Sequence, residues 1–375
     1  MTFLRTMMRE LGRAVPPIRR MHEGLHQAIA QRDEAHRGLA EERKARATAE
    51  ATLRRLVSEA AGSPDGGRGA LEAELASERQ ARMMEQSRTL TPEEFETFAR
   101  WRYLKSTDRL IAMDDFGVKP AMRYGWGKPP HPQIEAILAT NVEKYRRTLE
   151  SFLPLLPGIV TIPSHPVENM AEPNWINLAF PAFDAIALYG LIATRKPRRF
   201  IEIGSGFSTK FARRAIRDHG LATKIISIDP EPRAEVDAIC DEVVRSQLEA
   251  MPLDLFAGVG ADDFIFFDGS HRTFQNSDVT VFFTEVLPML PSGTLVGIHD
   301  IFWPVDYPEP WLEWYFSEQY MLACWLLAGD KLEVELPVNY VAARPDLKGM
   351  LDPYWNHVAL AGTSPDGGAF FFRIR

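Results

Sequence analysis

The sequence predicts an α/β body on a Rossmann-like sheet, preceded by a long N-terminal helical arm of coiled-coil type. Three observations carry this expectation. The first 90 residues hold one aromatic, Phe3, of the chain's 22 Phe, 8 Trp and 9 Tyr, so they cannot bury enough surface to fold as a globule. After Asn174, short apolar runs alternate with helical stretches, which is the pattern of a parallel sheet covered by helices. Four of these runs end on Gly204, Asp229, Asp268 and His299-Asp300, delivering chemistry at the carboxyl ends of adjacent strands.

The averages are consistent with a folded protein. Among 375 residues, 45% are hydrophobic and 25% charged, with a net charge of −8. This excludes global disorder and argues against a dedicated nucleic-acid binder, which would show a basic patch. Two cysteines, Cys240 and Cys324, exclude a disulfide scaffold and a Cys-rich zinc site. A reducing, cytoplasmic location is the expectation.

Residues 1–88 form the expected arm. Arg5, Arg9 and Arg13 share a helical face near Phe3, Leu4, Met7, Met8 and Leu11. Residues 1–20 therefore suit either weak contact with an anionic membrane surface or a frayed helical start. No proline occurs from Ile18 to Ala61, and a heptad seam runs through Leu25, Ala28, Leu39, Ala49, Leu53 and Leu56. Arg32, Glu42 and Arg46 interrupt that seam, so a long helix is better supported than a tight coiled coil. Gly62–Gly69 (GSPDGGRG) is a flexible break, after which Leu71 and Leu75 resume a helical face. The arm's expected role is to hold a homo-oligomer or a partner protein.

Residues 89–173 are expected to be a helical and loop cap or connector. Thr91-Pro92-Glu93-Glu94 reads as a capping box with proline at the first helical position. Asp114–Pro132, with four prolines, reads as a loop. The body then spans 174–375. Its most apolar early stretch, Asn177–Ala193, contains Pro181 and Asp184, so no membrane-spanning helix is expected. Strands are expected at Arg199–Ile203, Lys224–Ile228, Phe264–Phe267, Thr294–Ile298, Leu332–Leu336 and Ala369–Ile374. A helix is expected at Thr209–His219.

The sharpest local signal is Glu202-Ile203-Gly204-Ser205-Gly206. Glycines at a strand end allow a sharp turn and close approach to a ligand at the start of a helix. Asp229, ending the next strand, is placed to accept from ribose hydroxyls. A dinucleotide dehydrogenase uses similar geometry, but Thr209 stands where its third glycine would be.

FIEIGSGFST, IISIDPEPR, FIFFDGSH and GIHDIFWPVDYP resemble class I S-adenosylmethionine-dependent methyltransferases, above all the type 24 branch, which is related to metal-dependent sugar and small-molecule O-methyltransferases. The resemblance spans Phe183 to Arg375. It implies a seven-stranded sheet whose last strand is antiparallel. It also implies that Glu202, Gly204, Ser205 and Gly206 line the methionine part of S-adenosylmethionine, that Asp229 holds the ribose, and that Arg245 lies near the adenine region.

A hydroxyl acceptor must lose a proton as it is methylated. His271, just past a strand end, is the expected general base, with Asp300 assisting. A divalent cation would lower the barrier for an unactivated alcohol. In the related metal-dependent enzymes the matching positions are an aspartate of a DxxH-like segment and an acidic pair after the next strand. Here they are Asp268 and His299-Asp300, and the histidine turns the expectation from Mg²⁺ toward Mn²⁺, Fe²⁺ or Zn²⁺. Without a metal, His299 reads as an acid/base or hydrogen-bonding residue. Of the aromatic stretch Ile301–Tyr320, Trp303 and Tyr307, with Asp306, are the expected contacts to a glycan or small polyhydroxylated acceptor. The rival expectations are a catalytically silent methyltransferase-like scaffold that acts through its arm, and a nicotinamide-dependent dehydrogenase.

Overall fold

The computed structural model describes residues 120–375, apart from 178 and 233–235, and these belong to one compact unit. The expected arm, its glycine-rich break, the basic start of the chain and the helix start at Thr91 lie outside the described residues.

Seven strands form one sheet. They are β1 (Arg199–Ile203), β2 (Lys224–Ile228), β3 (Glu242–Val244), β4 (Phe264–Phe267), β5 (Leu295–Ile298), β6 (Leu332–Pro337) and β7 (Phe370–Ile374). Their spatial order is β3-β2-β1-β4-β5-β7-β6. The first five are mutually parallel, and β7 runs antiparallel to both β5 and β6. The expected antiparallel last strand is therefore present, and it lies inside the sheet. Sequence boundaries hold to within a residue, but the three-residue β3 was not foreseen.

Strands covered on both faces read as continuous apolar runs rather than alternating ones. Thus Phe264–Phe267 and Leu295–Ile298 are buried throughout, and in β1 the only carboxylate, Glu202, is fully buried with its neighbours. Five helices of eight or more residues occur among the described residues. They are α1 (Pro132–Ala139), α2 (Val142–Phe152), α3 (Ala182–Arg195), α4 (Phe207–Asp218) and α5 (Glu318–Ala328). Every residue of α3 from Ala182 to Ala193 is buried, which explains its nearly unbroken apolar composition.

The expected connector does not stand apart from residue 120 onward. Ile134 and Leu138 of α1 and Tyr145, Leu149 and Phe152 of α2 are fully buried in the same core as the sheet. At full burial each contributes roughly 1.5–3 kcal/mol of hydrophobic transfer. No helix among the described residues is long and apolar enough to cross a membrane.

The chain order reverses between β1 and β4, neighbours that lead away from the sheet's middle in opposite directions. In an open α/β sheet the crevice forms at this reversal, outside the carboxyl ends. Ile203, Ile228, Phe267 and Ile298 all end there.

Candidate active site

At the end of β1, Gly204 has φ +82°, in the left-handed region that L side chains rarely adopt. A Cβ added there would sit 1.8 Å from the carbonyl oxygen of Asp268. This glycine lets β1 and β4 turn out of the sheet in contact. Gly206 differs, because a Cβ there would meet no atom within 4 Å. Thr209, which occupies the third-glycine position of a dinucleotide fingerprint, is fully buried in α4. Its hydroxyl donates to Glu202 Oε2 and accepts from the Gly206 N–H at 3.0 Å, closing the first turn of the helix. The other Glu202 oxygen is buried without a hydrogen-bond partner, and burial pushes this carboxyl up to about 8.

Asp229 accepts from the N–H of Ser205 at 2.8 Å and of Glu231 at 2.7 Å, which ties the β1 turn to the β2 end. Arg245, foreseen near the adenine region, donates to the Asp229 carbonyl at 2.8 Å and pairs with Asp237. It thereby braces the loop behind Asp229. A cleft of about 370 Å³ is lined by Gly204, Ser205, Gly206, Asp229, Gln247 and Asp268, among others. That volume lies within the usual range for small-molecule sites. The open space at Gly206 fits a ligand that passes close to the backbone, whereas Glu202, expected to line the site, is fully buried beneath the turn and does not line the cleft.

Beyond Asp268 the strand ends of β4 and β5 converge. One donor atom each from Asp268, His271 and Asp300 lie within 4.8 Å of one another, a spacing that can hold a metal ion. His271 Nε2 is 3.5 Å from Asp268 Oδ1 and 3.5 Å from Asp300 Oδ2. The backbones of both His271 (φ +62°) and Asp300 (φ +57°) are left-handed, a costly conformation that clusters at functional sites. Burial alone would lower the His271 pKa. Glu318, Asp300 and Asp268 outweigh burial and hold it above the ordinary histidine value.

His299 was expected among the metal ligands, but it is not in this trio. Its Nε2 lies 3.2 Å from the buried Asp184, while its Nδ1 lies 3.4 Å from Asp268 and 3.5 Å from Asp300. It flanks the carboxylates from the other side, and their charge holds its pKa well above the ordinary value despite burial. Both histidines thus lie within 3.5 Å of Asp268 and Asp300, and His271, expected as base, is the one whose donor atom falls within the trio.

The residues expected as acceptor contacts are buried. Trp303, Asp306 and Tyr307 are only 2%, 3% and 2% exposed, and their polar atoms are engaged inside the protein. The Trp303 indole donates to the Gln319 carbonyl at 2.5 Å, and Asp306 accepts from the N–H groups of Arg123 and Tyr124 and from the Tyr320 hydroxyl. Tyr307 accepts from the Gln319 N–H. The exposed rings of this stretch are instead Trp314 (45%), Tyr315 (44%) and Tyr320 (41%), the last with its hydroxyl on Asp306. Trp314 lies 5.4 Å from Phe316, and Phe316 lies 4.4 Å from the His271 ring.

Two residues of the site were not foreseen. Glu318, fully buried at the start of α5, meets His271 Nδ1 at 2.5 Å. Asp184, in the first turn of α3, accepts from the N–H groups of Gly368 and Ala369 at 2.8 Å each, besides meeting His299. A lone carboxylate within the apolar run Asn177–Ala193 was a usable signal for Asp184. Glu318 carried no comparable signal.

Residues 201–301 match the family described as a methyltransferase domain. No curated protein matches the chain. Among solved structures, the chain is similar to the SAH-bound methyltransferase PaMTH1 of Podospora anserina, at 15% identity and a TM-score of 0.32, over 51% of this chain and 78% of that one. It is also similar to an O-methyltransferase of Bacillus cereus in complex with SAH, at 16% identity and a TM-score of 0.31, over 64% of this chain and 100% of that one.

Proposed function

We propose that the protein is an S-adenosylmethionine-dependent methyltransferase, a reading supported by the match of residues 201–301 to a methyltransferase domain, that it methylates a hydroxyl of a glycan or small polyhydroxylated acceptor, and that Asp268, His271 and Asp300 hold a divalent cation. The observation that carries this reading is the continuity of the site. One cleft is walled by the Gly204–Gly206 turn and Asp229, and also by Asp268, the nearest member of the trio.

S-adenosylmethionine supplies an electrophilic methyl group whose sulfur leaves as a neutral thioether. The chain's main task is therefore alignment, a proximity effect worth several kcal/mol. Asp229 and the glycine turn hold the donor, and the buried Glu202 underlies that turn. A cation in the trio would supply Lewis acidity that makes a hydroxyl more acidic, so that its proton would pass to water as the methyl group is transferred. His271 and the two aspartates provide mixed nitrogen and oxygen donors, which suits Mn²⁺ or Fe²⁺ better than Mg²⁺. The exposed Trp314, in ring contact with Phe316 and through it His271, and the exposed Tyr315 beside it in sequence offer flat apolar faces of the kind that stack on sugars.

Isothermal titration of the full chain with S-adenosylmethionine and SAH, followed by methyl transfer to a panel of sugars and polyols with and without chelator, tests the proposal. Donor binding with transfer that chelation abolishes and Mn²⁺ restores is the expected result. Absence of donor binding overturns the whole reading, and transfer that survives exhaustive chelation overturns the cation.

A further inference from the structure

His271 is gripped in two ways by the segment that begins α5. Its carbonyl accepts from the N–H groups of Ser317 at 2.7 Å and Glu318 at 3.3 Å, and the Thr273 N–H donates to the Ser317 hydroxyl at 2.9 Å. The side chain is held as firmly, with Glu318 Oε1 2.5 Å from Nδ1. Both partners are buried, Glu318 completely. With Nδ1 committed as donor, the other ring nitrogen, Nε2, is the one turned to Asp268 and Asp300. Glu318 also bears a cost, because its second oxygen, Oε2, is buried without a partner. Leaving a buried carboxylate oxygen unsatisfied weakens folding, so a purely structural origin explains this residue poorly.

We propose that Glu318 is a positioning residue that fixes the His271 ring with Nε2 toward the two aspartates and makes this histidine a strong metal ligand. A carboxylate that accepts from the far nitrogen of a ligating imidazole sets its tautomer and orientation and raises its basicity as a ligand. The site then prefers a nitrogen-accepting first-row ion to Mg²⁺. This inference rests on the cation reading above and adds to it a residue and an ion preference.

The test uses the full chain and Co²⁺, whose visible absorption reports nitrogen ligation, with Mn²⁺ and Mg²⁺ titrated separately by calorimetry. Wild type should bind Co²⁺ and Mn²⁺ at least tenfold more tightly than Mg²⁺. Glu318→Gln, which keeps an acceptor for Nδ1–H, should lose roughly tenfold in Co²⁺ affinity, and Glu318→Leu, which removes it, approaches 100-fold with an altered Co²⁺ spectrum. Thermal melting of each metal-free variant shows whether it is folded, and Gln supplies the isosteric comparison if Leu is not. Equal Co²⁺ affinity and spectra in wild type and folded Glu318→Gln overturn the positioning role while leaving the cation reading intact. An ion affinity of wild type that favours Mg²⁺ overturns the preference. No ion binding to wild type overturns both this inference and the cation reading.

Discussion

Gly204 and Gly206 are two residues apart in one turn, yet the structure assigns them different burdens, and alanine at each separates folding from ligand binding. At Gly204 the new Cβ would lie 1.8 Å from the Asp268 oxygen and 2.7 Å from its carbonyl carbon. A carbon normally stays about 3.3 Å or more from a carbonyl oxygen, so the two strand ends must part by about 1.5 Å. Backbone atoms cannot rotate away as a side chain would. The separation strains the Asp268 N–H bond to Ile203 (2.8 Å) and the Gly204 N–H bond to Ile228 (3.0 Å), each worth about 1 kcal/mol. The left-handed φ adds about 1–3 kcal/mol for a residue with a side chain. Together Gly204→Ala should cost about 3–5 kcal/mol, which lowers the melting temperature by roughly 6–20 °C in a body of this size. Gly206→Ala has an extended backbone, φ −176°, and open space, so its melting temperature should stay within about 2 °C of wild type. Its methyl group enters the cleft and should weaken S-adenosylmethionine binding about tenfold or more. Differential scanning calorimetry and isothermal titration on the two variants decide the matter. A Gly204→Ala protein as stable as wild type would refute the close approach of β1 and β4, and a Gly206→Ala protein with wild-type affinity would refute the placement of the donor.

Other consequences are as direct. Burial opposes the charge on Asp263, but Arg199 and Arg198, with the Gly260 N–H, hold its carboxyl down at about 2. A depressed carboxyl contributes stability above its unfolded pKa, near 4, and loses it as pH falls toward 2. The contribution is about 2 kcal/mol. Urea melts should therefore show Asp263→Asn well below wild type at pH 6, with the gap narrowing by pH 3; a constant gap refutes the assignment. Asp184→Ala removes the acceptor of two buried N–H groups and the partner of His299, and should cost about 3–5 kcal/mol in chemical denaturation. A loss below 1 kcal/mol would show that these groups find other partners. Burial, then the nearby Glu202, pushes the Cys240 thiol up to about 11, whereas Cys324 is exposed. A thiol reagent at pH 8 should label Cys324 rapidly and Cys240 slowly, as read by mass spectrometry after proteolysis, and equal rates would contradict this.

What could be read in the sequence was local. The runs RFIEI, KIISI and FIFF match β1, β2 and β4 because a strand buried on both faces needs little context to declare itself. β3 escaped notice because Glu242-Val243-Val244 is too short to show a period. The glycine turn and the strand-end carboxylates were legible for the same reason, since each is defined by its immediate neighbours. The supports of the site were not legible. Glu318 meets a histidine 47 residues away and Asp184 one 115 residues away, and such pairings arise only from the fold. That Trp303 and Tyr307, expected as acceptor contacts, are buried while Trp314 and Tyr315 are exposed was hidden on the same ground. All four are aromatic and neighbours in sequence, and only the packing of α5 decides which rings face the core. Thr209 was read as a departure from a dinucleotide fingerprint, and it closes the first turn of α4 against Glu202.

The sheet order has a consequence for how the protein is made. A ribosome delivers β6 before β7, yet among the described residues β7 is the only strand with which β6 pairs. Until residues 338–369 have followed, β6 has no place beside β5, and its apolar residues Leu332, Val334 and Leu336 wait for a partner. Gly368 and Ala369, which satisfy Asp184 and so help brace His299, belong to the same late segment. The candidate site thus depends on residues that follow β6, although its own carboxylates are made much earlier. A chain interrupted before β7 would carry Asp268, His271 and Asp300 and still lack the strand that unites both edges of their scaffold, exposing an unpaired strand to other chains in the meantime.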